Sequence, residues 1–544
     1  MNIKKITLAL LLIIMMTTVV FAGADKEAGK GASKEIDQTL YLAATLSGSN
    51  LNTKLEHPWV NRGNLIYKLL FYRSLFLPDS TLEVMQPDLA ASYKISGDFL
   101  TYTITLKDGI TWHDGVPFTA DDVIWSISTA LKAAQVNSIY TGAFSAIEGA
   151  DRWKSGAANS LSGITANGKV ITIKLTRKVG NFLSLLGQFA ILPKHSLEKE
   201  DPLKLHNAAF WEHPISCGMY KLQEYNPGNY ATFVVYENYH GKKPIIQKII
   251  VNYVADDVAS AQSRQVDYMH TNAPSSIGVL KGLSYMSTFP VDIPFYRYFV
   301  MNLKDENGKV NPKLNDVRIR EAILYAIDRK ALTERLYQGT AKVLNTGVPS
   351  ALEAYWKGAN TYDYNPEKAK QLLRDAKFDF NQTLRLRYYY ADQTSIDLMT
   401  AIGQYLANVG IKTDVQKFQG DATTAIYQIR EHDLVFKGLS SFGYEEWYGE
   451  YATDSSSFVR IIGKDGLFDS KVNELRSETD AKKRDAILVD LQKLEQQTML
   501  KIPLFTVQSI YFINTDRVKL PEGVKFGNPW FNHDMKFEEW RIIK

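Results

Sequence analysis

The chain has 544 residues, 45% hydrophobic and 22% charged, which is too long for one small core and implies two or three globular domains. Its formal net charge of +4 is spread without a Lys/Arg block, so nucleic acid is excluded as a partner.

Lys4 and Lys5 precede an apolar run from Ile6 to Phe21 that is too short for a stable membrane span. Residues 1–22 therefore read as a cleavable signal peptide, with Val20 and Ala22 as the small residues that signal peptidase needs. Residues 23–35 are small and charged and read as a disordered leader. The only cysteine, Cys217, lies far downstream, so no lipobox cysteine exists to acylate and the expectation is a free periplasmic protein, not a lipoprotein. Cys217 sits in "PISCGMYKL" and reads as a buried, inert thiol.

Order begins at the strand-like "TLYLAATL" (Thr39 to Leu46), and "NLIYKLLFYRSLF" (Asn64 to Phe76) has helical spacing. In "TYTITLKDGITW" the alternation of Tyr102, Ile104 and Leu106, a turn at Asp108-Gly109 and a resumption at Ile110 and Trp112 predict a β-hairpin. Asp114-Gly115 turns the chain again, Pro117 halts pairing, and Thr119 with Asp122 has the spacing of a capping box. Asp121 and Asp122 then sit in a first helical turn, where the dipole favours carboxylates, so the acids of this stretch have a structural role. Further on, Asn315 to Gly339 predicts one helix with Asp316 as cap, and Asn365 to Ala376 another with Pro366 at its first position. Strand-like "LRLRYYYA", a helix ending at Gly410 and "IKTDVQ" follow; this strand-helix-strand order predicts an α/β protein with largely parallel sheets.

Signs of catalysis are sparse. His113 beside Asp114 is one pair suited to acid-base work, but the chain has no G-x-S-x-G, H-E-x-x-H, paired C-x-x-C or G-x-G-x-x-G. His206 and His213 near Glu212 have a spacing that suits no common metal site. Neither an enzyme nor a cofactor is expected, and a periplasmic hydrolase using His113 or His206 is the reading from another class.

The segment "QPDLAASYKISGDFLTYTITLKDGITWHDGVPFTADDV" (Gln86 to Val123) resembles the signature of the family 5 extracellular solute-binding proteins, the dipeptide- and oligopeptide-binding components of ABC importers. The likeness extends through "ILPKHSL", "ISCGMYKLQEY" (where the family usually has G-T-G-P-Y), "YENYHG", "DVRIREAILYAIDR", "YNPEKAKQLL" and "IPLF". It implies a two-lobed, clamshell α/β fold of the type 2 periplasmic binding proteins, with an extra domain on the first lobe. Domain I would comprise residues 36–75, 195–297 and 506–544, domain II residues 76–194, and domain III residues 298–505. Crossings near "FYRYFVMN" (Phe295 to Asn302) and "IPLFTVQ" (Ile502 to Gln508) would form the hinge.

The resemblance also implies where ligand binds. One group of contacts would be Thr45, Leu46 and Ser47, a second Tyr298, and a third Ser440, Ser441 and Phe442 with Tyr444, Glu445, Glu446 and Trp447. Peptide binders of the family commonly hold the ligand's α-amino group with an aspartate in a "GWxxDYxDP"-like segment. In "DLVFKGLSSFGYEEWYGEY" (Asp433 to Tyr451) Phe442 stands at that place, leaving Glu445 or Glu446 as replacements. The implied partners are a peptide, or alternatively an oligosaccharide stacked on the aromatics, and an inner-membrane permease; the protein would act as a monomer.

Overall fold

The computed structural model describes residues 36–45, 57–59, 70–79, 85–293, 295–441, 443–455, 457–527 and 535–544. All its strands and helices fall in the unit Gln38–Lys544; of the unit Met1–Asp37 only Ile36 and Asp37 are described, so the expected signal peptide and leader lie outside the described residues. Among the described residues no helix is long and apolar enough to cross a membrane.

Three sheets carry the fold. The largest has seven strands, in the spatial order Met286–Val291, Ser509–Asn514, Tyr268–Thr271, Thr39–Thr45, Lys248–Val254, Tyr230–Val235 and Tyr220–Asn226. A four-stranded sheet, wholly antiparallel, is built from Ala90–Ile95, Thr101–Leu106, Val170–Lys174 and Ile164–Asn167. The third has six strands, in the order Ala341–Val343, Lys501–Val507, Phe295–Met301, Leu434–Ser440, Thr383–Tyr388 and Lys412–Lys417.

Side-chain alternation places the cores. Along Phe295–Met301, Phe299 and Met301 enter one cluster with Leu384 and Leu386, while Tyr296, Tyr298 and Val300 enter another on the opposite face. The six-stranded sheet is thus covered on both sides, and Lys501–Val507 is buried at every position, as befits a strand flanked by apolar layers. One continuous core joins the seven-stranded and four-stranded sheets, with Leu40, Leu42, Ile104 and Trp112 among its members.

The expectation of largely parallel sheets is not met. Parallel pairing is confined to Thr39–Thr45 with its two neighbours and to Thr383–Tyr388 with its two neighbours. The latter contains the one strand-helix-strand unit legible locally: Asp392 caps helix Gln393–Asn408, and Gly410 at φ +91° ends it. Every other pairing between these strands runs antiparallel, some between chain neighbours, as Tyr220–Asn226 with Tyr230–Val235, and some between distant segments, as Phe295–Met301 with Lys501–Val507.

Three local expectations also need correction. Thr101–Leu106 does not fold back on Ile110–Trp112; it pairs with Ala90–Ile95 and Val170–Lys174, setting Tyr102 against Ile173 and Ile104 against Ile171, so its alternation is satisfied by a remote strand. Only the second turn closes a short return, with Thr111 bridged to Pro117 and Gly115 at φ +88°. The helix expected over Asn315 to Gly339 is two, Val317–Ala326 and Arg329–Tyr337, because Ile327 is extended and Asp328 caps the second by accepting the Ala331 N–H. From Tyr72 to Leu75 the chain is irregular and Phe76 opens a strand; the rest of the helix expected there, before Leu70, lies outside the described residues.

The stretch "LKDGITWHDGVPFTADDVIWSI" (Leu106 to Ile127) is tied down by its own polar side chains. Asp122 accepts the Thr119 N–H at 2.8 Å and, from across the domain, the Lys194 N–H at 2.9 Å. His113 does not pair with Asp114: its Nδ1 accepts the Ser216 N–H, so Nε2 carries the proton and donates to Gly218 O, and burial lowers its pKa to about 4. Asp114 meets His195 instead, at 2.8 Å. Cys217 is buried and burial pushes its thiol far up.

Candidate functional site

Among the described residues the chain passes between the seven-stranded and six-stranded sheets twice, from Val291 to Phe295 and from Val507 to Ser509. Strand directions fix which ends these crossings join. Val291 and Ser509 are opposite each other and on the side of the carboxyl ends of the parallel strands, Thr45, Val254 and Thr271. Phe295 is opposite Ser440, whose strand runs parallel to Thr383–Tyr388, so the crossings enter the second sheet at its carboxyl ends too. Carboxyl ends of parallel strands are where open α/β sheets take ligands. The crossings hold each other: Gln508 donates to Asp292 at 2.8 Å, and Lys342 pairs with the same carboxylate at 2.6 Å.

Of the residues expected to touch ligand, Thr45 ends its strand opposite Val254; Leu46, Ser47 and Phe442 lie outside the described residues. Ser440 ends its strand opposite Phe295. Ser441 is buried, its hydroxyl bonded to Gly443 O, and helix Tyr444–Gly449 follows. Glu445 forms an ion pair with Arg484 of helix Ala481–Thr498. Tyr444 and Glu446 are half-buried in the first turn of that short helix.

Trp447 and Tyr298, expected to touch ligand, are instead fully buried in the core. The Trp447 indole N–H donates to Glu495 Oε1 at 2.8 Å, and a Cβ at Gly347 would stand 2.1 Å from Trp447 Nε1, so the ring is walled in. Glu495 also accepts from Tyr451 Oη at 2.7 Å, Tyr448 Oη at 2.9 Å and the Gly347 N–H at 2.8 Å, which fastens residues 447–451 to the long helix Ala481–Thr498. The Tyr298 hydroxyl donates to Glu450 at 3.0 Å and accepts from Lys437 at 2.8 Å.

Beneath them Lys501, wholly buried, donates to Trp447 O at 2.7 Å and to Glu450 at 3.1 Å, with its ammonium 3.6 Å from the Trp447 ring centroid. Burial pulls Lys501 down to about 8 despite Glu450 and Glu495. Burial also works against the Lys437 charge, but Glu450 outweighs it and holds that ammonium above the usual lysine range.

A cationic corner that no local pattern announces lies where Phe295–Met301 enters the second sheet. Arg297 donates to Tyr390 Oη at 2.8 Å, and its guanidinium lies 4.3 Å from the Phe295 ring and 4.4 Å from the Tyr390 ring. Tyr389 Oη is 3.0 Å from Tyr390 Oη and accepts the Gly438 N–H at 3.3 Å. A Cβ at residue 438 would stand 2.1 Å from Arg297 Nη1 and 2.2 Å from Tyr390 Oη, so a larger residue there would displace both side chains. Its one trace in the sequence is a lone arginine within the aromatic strand "FYRYF". His206 and His213 gather no third ligand: among the described residues no three His, Cys, Asp or Glu side chains converge to hold a metal ion.

Two mixed α/β sheets, joined by a double crossing at their carboxyl ends, define a two-lobed solute-binding protein. The chain belongs to the bacterial extracellular solute-binding proteins, family 5, whose family model matches residues 84–459. A putative ABC transporter peptide-binding protein of Brucella ovis is 29% identical over 516 residues, covering 90% of this chain and 91% of the relative. The dipeptide-binding protein of Escherichia coli is 27% identical over 56% of this chain and 57% of its own. Among solved structures, the oligopeptide-binding protein AppA of Bacillus subtilis, in complex with a nonapeptide, shares the fold with a TM-score of 0.71 at 20% identity, covering 93% of this chain and all of that one. An ABC transporter substrate-binding protein of Listeria monocytogenes superimposes with a TM-score of 0.75 at 20% identity, over 93% and 99% of the two chains.

Proposed function

We propose that this protein captures an oligopeptide between its two lobes and delivers it to an inner-membrane ABC permease, acting as a periplasmic monomer after removal of residues 1–22. The observation that carries the reading is the pair of crossings at the carboxyl ends of both sheets: a few backbone dihedrals there can swing one sheet toward the other. Ligand contacts to both lobes then supply the differential free energy that favours closure, and no covalent step is needed. The seven-stranded sheet would be the heart of domain I (36–75, 195–297, 506–544), the four-stranded sheet that of domain II (76–194), and the six-stranded sheet that of domain III (298–505).

The relatives from Brucella ovis, Escherichia coli and Bacillus subtilis are peptide binders by name, and the oligosaccharide alternative draws no support from them. Trp447, the ring that alternative needs as a stacking platform, is buried against Tyr296 and Lys501. The test is a mass spectrum of whatever the secreted protein carries when it is purified and then denatured. Peptide masses are expected; oligohexose masses would overturn the assignment.

A further inference from the structure

Away from the crossings, the segment between the four-stranded sheet and helix Phe182–Gln188 reaches the end of helix Asp469–Ser477 beyond the six-stranded sheet. The Gly180 N–H donates to Arg476 O at 2.7 Å. A Cβ on residue 180 would stand 2.5 Å from Glu478 O and 3.3 Å from Arg484 Nη1, so only glycine admits the approach. Arg484 is the same residue whose other guanidinium nitrogen pairs with Glu445, in the first turn of helix Tyr444–Gly449. The pair is mostly out of water, at 24% and 14% side-chain exposure. Arg476 in turn is fastened to Asp454, just past that helix, at 2.6 and 3.2 Å.

We infer that Arg484 is a positioning residue for ligand capture: it holds Glu445, and with it the recognition helix, at the point where the loop around Gly180 docks, so that seating a ligand and closing the lobes are coupled. This rests on the reading of the cleft as a peptide site. The Glu445 charge is already matched, so it is spent on this joint and is not offered to a peptide's ammonium. The docking contact itself is one hydrogen bond to a helix C-terminal carbonyl, enough to bias two states and weak enough to release.

The test compares wild type with Arg484→Gln, Arg484→Lys and Gly180→Ala by amide hydrogen exchange, X-ray scattering and binding of a randomised tetrapeptide pool. In wild type the Gly180 amide should exchange slowly, and more slowly with the pool. Arg484→Gln should speed exchange around residues 178–181 and 443–449 together and weaken pool binding at least tenfold, with partial recovery in Arg484→Lys. Gly180→Ala should weaken binding and open the scattering profile while exchange in 443–449 stays at the wild-type rate. A change of melting temperature alone in Arg484→Gln, or unchanged binding and scattering in Gly180→Ala, would overturn the coupling. If no peptide in the pool binds wild type, the peptide reading fails, and the coupling is then decided by the ligand-free exchange: joint acceleration in Arg484→Gln supports it, and an unchanged Gly180 amide rejects it.

Discussion

Asp121 and Asp122 are neighbours in one helical turn but differ in what surrounds them. Asp121 is 68% exposed and pairs with Lys194 at 3.2 Å, whereas Asp122 is buried and accepts two backbone amides. Asp122→Ala should therefore cost about 1–3 kcal/mol of stability in denaturant unfolding, and Asp121→Asn no more than about 0.5 kcal/mol, with peptide binding unchanged in both. A tenfold loss of affinity in either folded variant would show that this stretch reaches the ligand. Lys501 gives a pH test. Titrating at about 8 in the fold against an ordinary 10.5, it sheds its proton earlier in the native protein, so its cost is full below pH 8 and relieved as pH rises toward 10.5. Lys437, held above the ordinary value, keeps its charge in the fold and begins to lose its stabilising contribution only as pH approaches 10.5, and this contribution is common to wild type and variant. Wild type should gain on Lys501→Met by up to about 1.4 kcal/mol per pH unit between pH 8 and 10; a flat difference in urea unfolding would contradict the burial of that charge. The sequence made the capping role of the acids legible because a cap is a local device. It could not reveal that Lys194, Glu495 or Arg484 would be the partners, since each arrives from a remote segment.

Among the elements, the long helix Ala481–Thr498 is the one that holds residues 447–451, through Glu495, which gathers donors from Trp447, Tyr448 and Tyr451 together with the Gly347 N–H. Glu495→Ala leaves those buried donors without an acceptor and should cost on the order of 3–5 kcal/mol. Glu495→Gln keeps one carbonyl acceptor and should cost less. Hydrogen exchange in residues 444–451 should accelerate in step with the loss; protection there equal to wild type would show that the segment is held by something else. Nothing in "LVDLQKLEQQTML" announces this role, because a glutamate on a helix reads as a solvated face until its neighbours are known. Elements bounded by their own signals were legible: Asp316 and Asn365 cap helices where expected, and Gly410 ends a third. The misreadings came where a local pattern had two solutions. Alternation in "TYTITL" says strand without naming its partner, and the apolar pattern of 315–339 runs through a break that only Asp328 marks.

For the molecule as a whole, closure should be visible in solution. A tight-binding peptide should compact the scattering profile and raise the melting temperature, by about 2.7 kcal/mol of stabilisation at a hundred times its dissociation constant; tight binding without compaction would contradict the two-lobed mechanism. The family was legible from one dense segment because its turns and caps are held close together in sequence, whereas the cleft is assembled from ends of strands that are far apart and is masked from any local reading. The seam made by Ser509–Asn514 has a temporal side as well. That strand lies between Met286–Val291 and Tyr268–Thr271 and contributes Ile510 and Phe512 to the apolar layer beneath them. It is synthesised after the entire six-stranded domain, so until the C-terminus emerges Met286–Val291 has no neighbour and the first sheet exposes an open edge. The lobe that begins the chain is thus completed last, and a nascent or truncated chain ending before Ser509 carries a finished second lobe on an unfinished first one, a long-range closure that makes folding slow and leaves the open edge as the point where chaperones or aggregation would act.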